Sequence, residues 1–366
     1  MPNNLFTDAN KTTKLGIVFG GCSSEYTVSL QSAAYIIDTC KLLLGLEIYT
    51  IGIDQQGRWW LTEATTEEIK NNTWIELPKT ELHWVLGKEK SSLEVAGKPL
   101  PIDVFFPVLH GKNGEDGTVQ GLWQLAQIPY VGCGVVDSSV SMDKVISRML
   151  FDHVGIPQTK WTWLRRDRFK SKEQDCLDAI EAELKYPVFV KPANAGSSIG
   201  VSKAIDRESL KEALSEAFIY DTKTVIDEGV VAREIELAVL QVYDPEESLI
   251  VSVPGEIVPE REFYDFEAKY QDSNSKLILP TEVKKDELKQ LQEYAKLAFR
   301  TVDAHGLCRA DFFLEESTGK IYINEINTLP GFTAISMYPK LMQLTGIEGK
   351  QLMAELINTA LQREYK

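Results

Sequence analysis

Long apolar runs are missing from this sequence: no stretch reaches the roughly 18 consecutive apolar residues that a membrane-spanning helix requires. Hydrophobic residues still make up 43% of the chain, so the deficit is one of run length and not of core-forming material. Positive charge is also in short supply. Lys and Arg number 39 against 54 Asp and Glu, a formal net charge of −15. That balance argues against a nucleic-acid partner, which needs clustered cations, and against an anionic membrane surface. Small anionic substrates escape this exclusion, because a few local cations suffice to hold a phosphate. Cysteine is scarce and scattered. Cys22, Cys40, Cys133, Cys176 and Cys308 are odd in number and form no C-x-x-C pair, so neither a zinc site nor a disulfide framework is indicated and a reducing cytoplasm fits. The four histidines show no H-E-x-x-H spacing, which leaves transition-metal hydrolysis unsupported. Residues Met1–Thr13 are polar without an apolar centre, so they read as a tail and not as a signal peptide.

What is present is a chain of 366 residues, too long for one ordinary core and suited to two or three domains. Leu15–Phe19 is a buried-strand run that stops at Gly20-Gly21, and Leu30, Ala33, Ala34 and Ile37 then recur at helical spacing. Val104–Leu109 and Ile128–Val131 read as further strands, each followed closely by glycine. Such strand–loop–helix repetition implies a parallel sheet with helices on its faces and functional loops at the strands' carboxyl ends. A second unit begins around Ser141–Lys144, with a helix near Val145–Val154 and a polar segment Arg165–Asp178. It continues through the strand Pro187–Lys191, a helix about Arg207–Phe218 and the strand Thr224–Asp227. A third unit opens on the strand Glu234–Leu240 and ends on a helix about Gly349–Arg363. Within it, about Pro254–Leu279 is long, polar and without apolar periodicity, the character of a lid or binding loop.

Four constellations could carry chemistry. Arg309-Ala-Asp311 and Asn324-Glu-Ile-Asn327 lie in apolar strand runs, where residues two apart share a face. Asp311, Glu325 and Asn327 then offer an oxygen-only ligand set, which suits Mg²⁺ more than zinc. A surface ion-pair network is the plainer reading for a lone Asp and Glu, but three such ligands beside an Arg favour the metal site. The loop Lys191-Pro-Ala-Asn-Ala-Gly-Ser-Ser-Ile-Gly200 follows a strand and could close backbone N–H groups and Ser hydroxyls around phosphate, although it is no Walker A motif. It could equally be a simple turn. Gly20-Gly-Cys-Ser-Ser-Glu25 lacks dinucleotide spacing, and Glu25 is either a dipole-favoured carboxylate or the anchor of a substrate ammonium. His110-Gly-Lys-Asn-Gly-Glu-Asp-Gly117 has the glycines of a shaped loop, with His110 either structural or part of a site.

Taken in order, these segments resemble the D-alanine–D-alanine ligase family of the ATP-grasp superfamily. The motifs that carry the resemblance are Phe19–Glu25 with Val28-Ser29, Leu109–Gly117, Ser141-Met-Asp-Lys144, Lys191–Gly200, Tyr264–Tyr270, Arg309–Asp311 and Asn324–Gly331. They run from about Lys14 to the C-terminal helix. The resemblance implies an α/β (α+β multidomain) chain, an ATP-grasp fold preceded by a Rossmann-like N-terminal domain. Its expected divisions are a tail 1–13, an N-terminal domain 14–140, a central domain 141–232, and a C-terminal domain 233–366 with a lid at about 254–279.

The resemblance also implies roles. Lys144, Lys191 and Ser198 would hold ATP phosphates, Lys269 would reach the transferred phosphate, and Asp227 and Glu234 would bind adenine and ribose. Asp227 stands where many relatives carry Glu. Asp311, Glu325 and Asn327 would ligate two Mg²⁺ ions, with Mn²⁺ able to substitute. Glu25 would hold the ammonium of the first D-alanine, with His110 nearby, and Ser197 and Tyr270 would link to Glu25. Arg309 and the Gly331 N–H would form an oxyanion site, and Ser336 would bind the second substrate's carboxylate beside Met337. The implied partners are ATP, D-alanine and a second copy of the chain in a homodimer, with neither nucleic acid nor membrane.

The pair Glu25-Tyr26, with Trp60 and Asn72–Glu76, is similar to the subfamily that includes D-alanine–D-serine ligases, which keeps D-serine open as the second substrate. A non-catalytic ATP sensor on the same scaffold is disfavoured, since Arg309, Asp311, Glu325 and Asn327 are all present. An NAD-dependent oxidoreductase lacks its glycine fingerprint here.

Overall fold

The structure is a computed structural model that describes residues 12–87, 93–197, 199–243, 248–258, 276–333 and 335–363. Three sheets follow one another along the chain. The first contains β1 (Thr13–Gly20), β2 (Leu46–Ile53), β3 (Trp59–Thr62), β4 (Lys79–Trp84), β5 (Leu93–Val95), β6 (Lys98–Pro99) and β7 (Val104–Val108) in the spatial order β6-β5-β4-β3-β2-β1-β7. β1 is parallel to both β2 and β7, but β2 through β6 run antiparallel, so the sheet is mixed where the sequence pattern implied a parallel one. The reason is local. The turn Asp54–Arg58 joins β2 to β3 too tightly for a crossover helix. The buried Asp54 carboxylate organises it, accepting from the backbone N–H of Gln56 (2.9 Å) and Arg58 (3.0 Å) and from Trp60 Nε1 (2.9 Å). Ile128–Val131 is likewise no full strand. It makes a single parallel bridge to Phe105, since Pro129 has no N–H to extend a ladder.

The second sheet holds β8 (Trp161–Arg165), β9 (Val188–Pro192), β10 (Ser202–Ala204) and β11 (Lys223–Glu228), all pairs antiparallel, in the order β10-β9-β11-β8. Helices Glu173–Glu183 and Arg207–Tyr220 cover it and share its core. The latter starts at a reciprocal cap between Asp206 and Ser209, which satisfies two otherwise orphaned backbone donors. The polar segment Arg165–Asp178 thus becomes helical, at Arg166–Ser171 and Glu173–Glu183.

The third sheet is antiparallel: β12 (Arg233–Gln241), β13 (Leu249–Val251), β14 (Gly255–Val258), β15 (Lys276–Ile278), β16 (Leu307–Glu315) and β17 (Lys320–Asn327), in the order β15-β14-β12-β16-β17 with β13 beside β12. The expected loop Pro254–Leu279 begins and ends as the paired strands β14 and β15. Residues 259–275 between them, including Lys269 and Tyr270, lie outside the described residues. Helix Lys285–Thr301 packs on one face of this sheet through Leu291, Ala295, Ala298 and Phe299.

The first and third segments each have an apolar cluster of their own and also share one. Leu15, Ile17 and Phe19 of β1 and Leu30 and Ile37 of helix Tyr26–Cys40 form one apolar cluster with Tyr338, Leu341, Leu352 and Leu356 from the C-terminal helices. Each such aliphatic side chain withdrawn from water contributes about 1.5–3 kcal/mol before entropy is counted. The seam holds the carboxyl end of β1 facing β16 and β17. Among the described residues, no helix is long and apolar enough to cross a membrane.

Candidate active site

β1 ends at Gly20 and Gly21, both with positive φ, and a Cβ at Gly20 would lie 2.2 Å from the Ile53 carbonyl oxygen. The chain therefore turns sharply and places Glu25 just before helix Tyr26–Cys40. Glu25 is buried, and its side chain does not cap that helix. It instead accepts a hydrogen bond from Ser197 Oγ, so the glycine-serine loop after β9 reaches across to the N-terminal segment. Room for the carboxylate comes from two glycines. A Cβ at Gly111 or Gly196 would fall 2.4 or 3.2 Å from Glu25 Oε2.

His110 lies beside it, buried, with Nδ1 3.4 Å from Glu115 Oε1 and Nε2 3.2 Å from Ser32 Oγ. Burial works against its protonation, but the Glu115 and Glu25 carboxylates outweigh that and raise its pKa. Ser32 has a second partner. Its Oγ accepts from the Phe332 backbone N–H at 3.2 Å, tying the first helix and His110 to the loop after β17. Removing the hydroxyl in Ser32→Ala orphans a buried N–H, so unfolding in urea is expected to show a loss of about 1–3 kcal/mol. A midpoint equal to that of the parent chain would mean that this tie contributes nothing.

A second group of side chains gathers between β9, β11 and helix Lys144–Val154. Asp143 caps that helix, its carboxylate accepting from the N–H of Val145 (3.0 Å), which starts the helix at Lys144. Lys144 Nζ donates to the Ala195 carbonyl at 2.8 Å and stands 3.5 Å from Glu325. Lys191 Nζ, at the end of β9, lies 3.1 Å from Asp227 and 3.3 Å from the Asn324 amide oxygen. Asp227 is buried and is also gripped by Arg148 at 2.6 Å. Its carboxylate is thus engaged by two cations rather than presented alone. Glu234 opens β12 on the wall of the same cavity.

β16 and β17 bring the third group together. Their register sets Asp311 opposite Glu325 and Arg309 opposite Asn327, which places all four on one face as strand parity requires. Arg309 donates from Nε and one terminal nitrogen to both Asp311 oxygens, each at 2.7 Å, and lies 3.1 Å from Glu236 on β12. Burial opposes the guanidinium's charge, and Asp311, Glu236 and Glu325 outweigh it, holding its pKa well above the ordinary value. The Asn327 amide oxygen accepts from the Leu329 N–H at 2.9 Å, which orients the side chain and opens the following loop. In that loop Ser336 Oγ accepts from the Thr333 N–H at 2.9 Å, and the Gly331 Cα is close enough that an added Cβ would sit 3.0 Å from this hydroxyl. Met337 begins the next helix, buried.

These groups line two adjoining cavities. One of about 470 Å³ receives Glu25 and His110 from the first segment, Arg309, Glu325 and Asn327 from the sheet, and Gly331, Ser336 and Met337 from the loop. The other, about 370 Å³, is lined by Lys191, Asp227 and Glu234, and shares Lys144, Ser197 and Glu325 with the first. Among the described residues no group of three or more His, Cys, Asp and Glu side chains is arranged to hold a metal ion, and Asn327 is the further oxygen donor on the face of Asp311 and Glu325.

Two family models match the chain: the D-ala D-ala ligase N-terminus over residues 14–133 and the D-ala D-ala ligase C-terminus over residues 150–358. The chain belongs to the D-alanine–D-alanine ligase family. Among its relatives, the D-alanine–D-alanine ligase of Heliobacterium modesticaldum is 44% identical over 354 residues, 95% of this chain and 94% of that protein. The D-alanine–D-alanine ligase of Acetivibrio thermocellus is 44% identical over 365 residues, 95% of both. Among solved structures, the VanG D-Ala:D-Ser ligase from Enterococcus faecalis superposes with a TM-score of 0.86 at 36% identity, covering 96% of this chain and 100% of that one. The D-alanine-D-alanine ligase from Coxiella burnetii gives 0.82 at 31% identity, over 96% and 95%. The fold is accordingly the mixed α/β, multidomain ATP-grasp type of this ligase family.

Within a D-alanine–D-alanine ligase frame, the residues other than Glu25 that are similar to the D-serine-using subfamily have a packing role. Trp74 is fully buried, meets Phe19 edge-on at 5.2 Å and fills the space left by Gly52, while Tyr26 donates to Asn72 at 2.9 Å. None of Tyr26, Trp60, Asn72 and Trp74 lines the larger cavity. Three polar residues now stand beside those the sequence singled out: Ser32, Arg148 and Glu236. Glu236 shares a strand face with Glu234, but its place beside Arg309 and Asp311 depends on the β12–β16 register, which no local pattern shows. Ser198, Lys269 and Tyr270 lie outside the described residues.

Proposed function

We propose that this chain joins two D-alanine molecules into D-alanyl-D-alanine, with cleavage of ATP to ADP and phosphate, and that the dipeptide serves peptidoglycan synthesis. The supporting observation is that one cavity is lined by the Glu25 carboxylate, Arg309 and Gly331, and that it shares Lys144 with a second cavity that Lys191 also lines. A carboxylate lacks a leaving group, and ATP supplies one.

In this reading Glu25 holds the first D-alanine's ammonium, with Ser197 fixing Glu25 and His110 alongside. Lys144 and Lys191 carry the ATP phosphates. Glu234 takes the ribose and Asp227 the adenine amino group, the latter while held by Arg148 and Lys191. The oxygen-only donors Asp311, Glu325 and Asn327 would hold two Mg²⁺ ions, with Mn²⁺ substituting. Their lack of nitrogen and sulfur ligands fits that choice. Bound there, Mg²⁺ supplies charge neutralisation to the transferring phosphoryl group. A carboxylate oxygen of the first D-alanine takes the γ-phosphoryl group and ADP leaves. The neutral amine of the second D-alanine, placed by Ser336, then attacks the carbonyl carbon. Negative charge on the carbonyl oxygen falls to Arg309 and the Gly331 N–H, the C–O bond to phosphate breaks, and the amine gives up its proton. Ser198, Lys269 and Tyr270 complete this assignment from the sequence alone. We assign the chain to three domains divided at 140/141 and 232/233, although helix Val135–Met142 runs across the first division. A cytoplasmic homodimer completes the reading.

D-serine as second substrate is the competing reading, and the similarity to the VanG D-Ala:D-Ser ligase favours testing it. Met337 speaks for D-alanine, because an apolar side chain covers a methyl group and offers a hydroxyl nothing. A hydroxyl buried without a partner costs about 1–3 kcal/mol, equivalent to about 5- to 150-fold in preference. With both amino acids present at equal concentration, D-alanyl-D-alanine is the expected main product by mass spectrometry. Dominance of D-alanyl-D-serine would overturn the choice. ADP release that does not depend on D-alanine would overturn the ligase reading itself.

A further inference from the structure

β12, β16 and β17 lie side by side, and their registers align Glu236, Asp311 and Glu325 in one row across the three strands. Arg309 stands in the next row and reaches back to this one. Its Nε and one terminal nitrogen hold both oxygens of Asp311 at 2.7 Å, while Glu236 Oε2 lies 3.1 Å from the same Nε. Glu236 is itself buried, and it faces the larger cavity beside Arg309.

This arrangement sets a problem for the assignment of Asp311 as a metal ligand, on which the inference rests. A carboxylate whose two oxygens both face a guanidinium is a poor ligand, because the same cation repels an incoming divalent ion. Withdrawing Arg309 into a low-dielectric site without another anion would leave a buried charge uncompensated. Glu236 removes that obstacle. It is already within ion-pair distance, so Arg309 exchanges one carboxylate for another and its charge stays paired throughout.

We propose that Glu236 is a positioning residue that receives the Arg309 guanidinium and so releases Asp311 for a divalent cation. It acts through Arg309 and does not ligate the ion. The same exchange keeps Arg309 at the cavity wall, where it meets the developing oxyanion. A positioning role of this kind distinguishes Glu236 from Glu325, which faces Asp311 from the opposite side and belongs to the ligand set.

The test is a titration of Mn²⁺ into the ADP complex of the full chain, followed by electron paramagnetic resonance of the free ion, for the parent, E236Q, R309M, the double variant and D311N. E236Q is expected to weaken Mn²⁺ binding by about tenfold or more, since Arg309 then remains on Asp311 and like charges placed together cost several kcal/mol. In the R309M background the same substitution should change Mn²⁺ affinity by less than about twofold, as additivity fails only for residues that act on each other. If R309M does not purify folded, R309K replaces it, and E236Q should again have a smaller effect than in the parent. Equal weakening in both backgrounds would show Glu236 acting on the ion directly and overturn the proposal, as would parent-like affinity in E236Q. Unaltered Mn²⁺ binding by D311N would instead remove the metal assignment of Asp311, a separate failure.

Discussion

Replacing Glu325 with Gln is expected to lower ligase turnover by about 1,000-fold or more while leaving the fold in place. Glu325 is common to both cavities, lies opposite Asp311 in the β16–β17 register and stands 3.5 Å from Lys144. Its charge is what a divalent cation needs, and metal stabilisation of a transferring phosphoryl group amounts to several kcal/mol. At about 1.4 kcal/mol per tenfold in rate, that is roughly three orders of magnitude. The amide is isosteric, and the Glu325 side chain is 31% exposed, so the melting temperature should move little. ADP formation at saturating Mg²⁺, with a thermal melt on the same sample, checks both halves. Turnover within a few-fold of the parent would remove Glu325 from the metal site.

Arg309→Lys is expected to lower kcat by about 100- to 1,000-fold, the range for loss of one preorganised oxyanion donor. Lysine keeps the charge but not the planar fork, so it cannot hold Asp311 at both oxygens while touching Glu236. The deficit should fall on kcat, with KM for ATP within a few-fold, because Lys144 and Lys191 line the cavity proposed for the nucleotide and Arg309 does not. Steady-state kinetics with ATP and D-alanine varied separately distinguish the two. A variant that loses only ATP affinity would place Arg309 in nucleotide binding and not at the carbonyl oxygen.

Period-two parity made the site's sheet face legible in the sequence: Arg309 with Asp311, and Glu325 with Asn327, had to share faces once they lay in strands. The glycine stops after β1 and the loop from His110 to Gly117 were equally readable, since such glycines serve close approach, here of Glu25 by Gly111. What parity could not supply was register between distant strands. Glu236 stayed hidden because nothing local says that β12 lies beside β16. Ser32 sat within an ordinary helical pattern, and its partners, His110 and Phe332, are far away in the chain. The helices between Arg166 and Glu183 were obscured by their polarity, as Phe169, Cys176, Leu177 and Ile180 alone are buried in them. Pro129 had the apolar neighbours of a strand without the donor a ladder needs. The roles of the site residues came from resemblance to a family, and no residue pattern by itself would have separated D-alanine from D-serine.

The most direct test of the central claim is to follow the substrate's own oxygen. D-alanine labelled with ¹⁸O in its carboxylate is incubated with the chain, ATP and Mg²⁺, and the dipeptide, the nucleotide and the inorganic phosphate are analysed by mass spectrometry. Activation by the γ-phosphoryl group requires one ¹⁸O to pass from the first D-alanine to the released phosphate, with one unlabelled ADP and one D-alanyl-D-alanine formed for each phosphate. Label recovered in AMP, or phosphate released without ¹⁸O and without dipeptide, would contradict it.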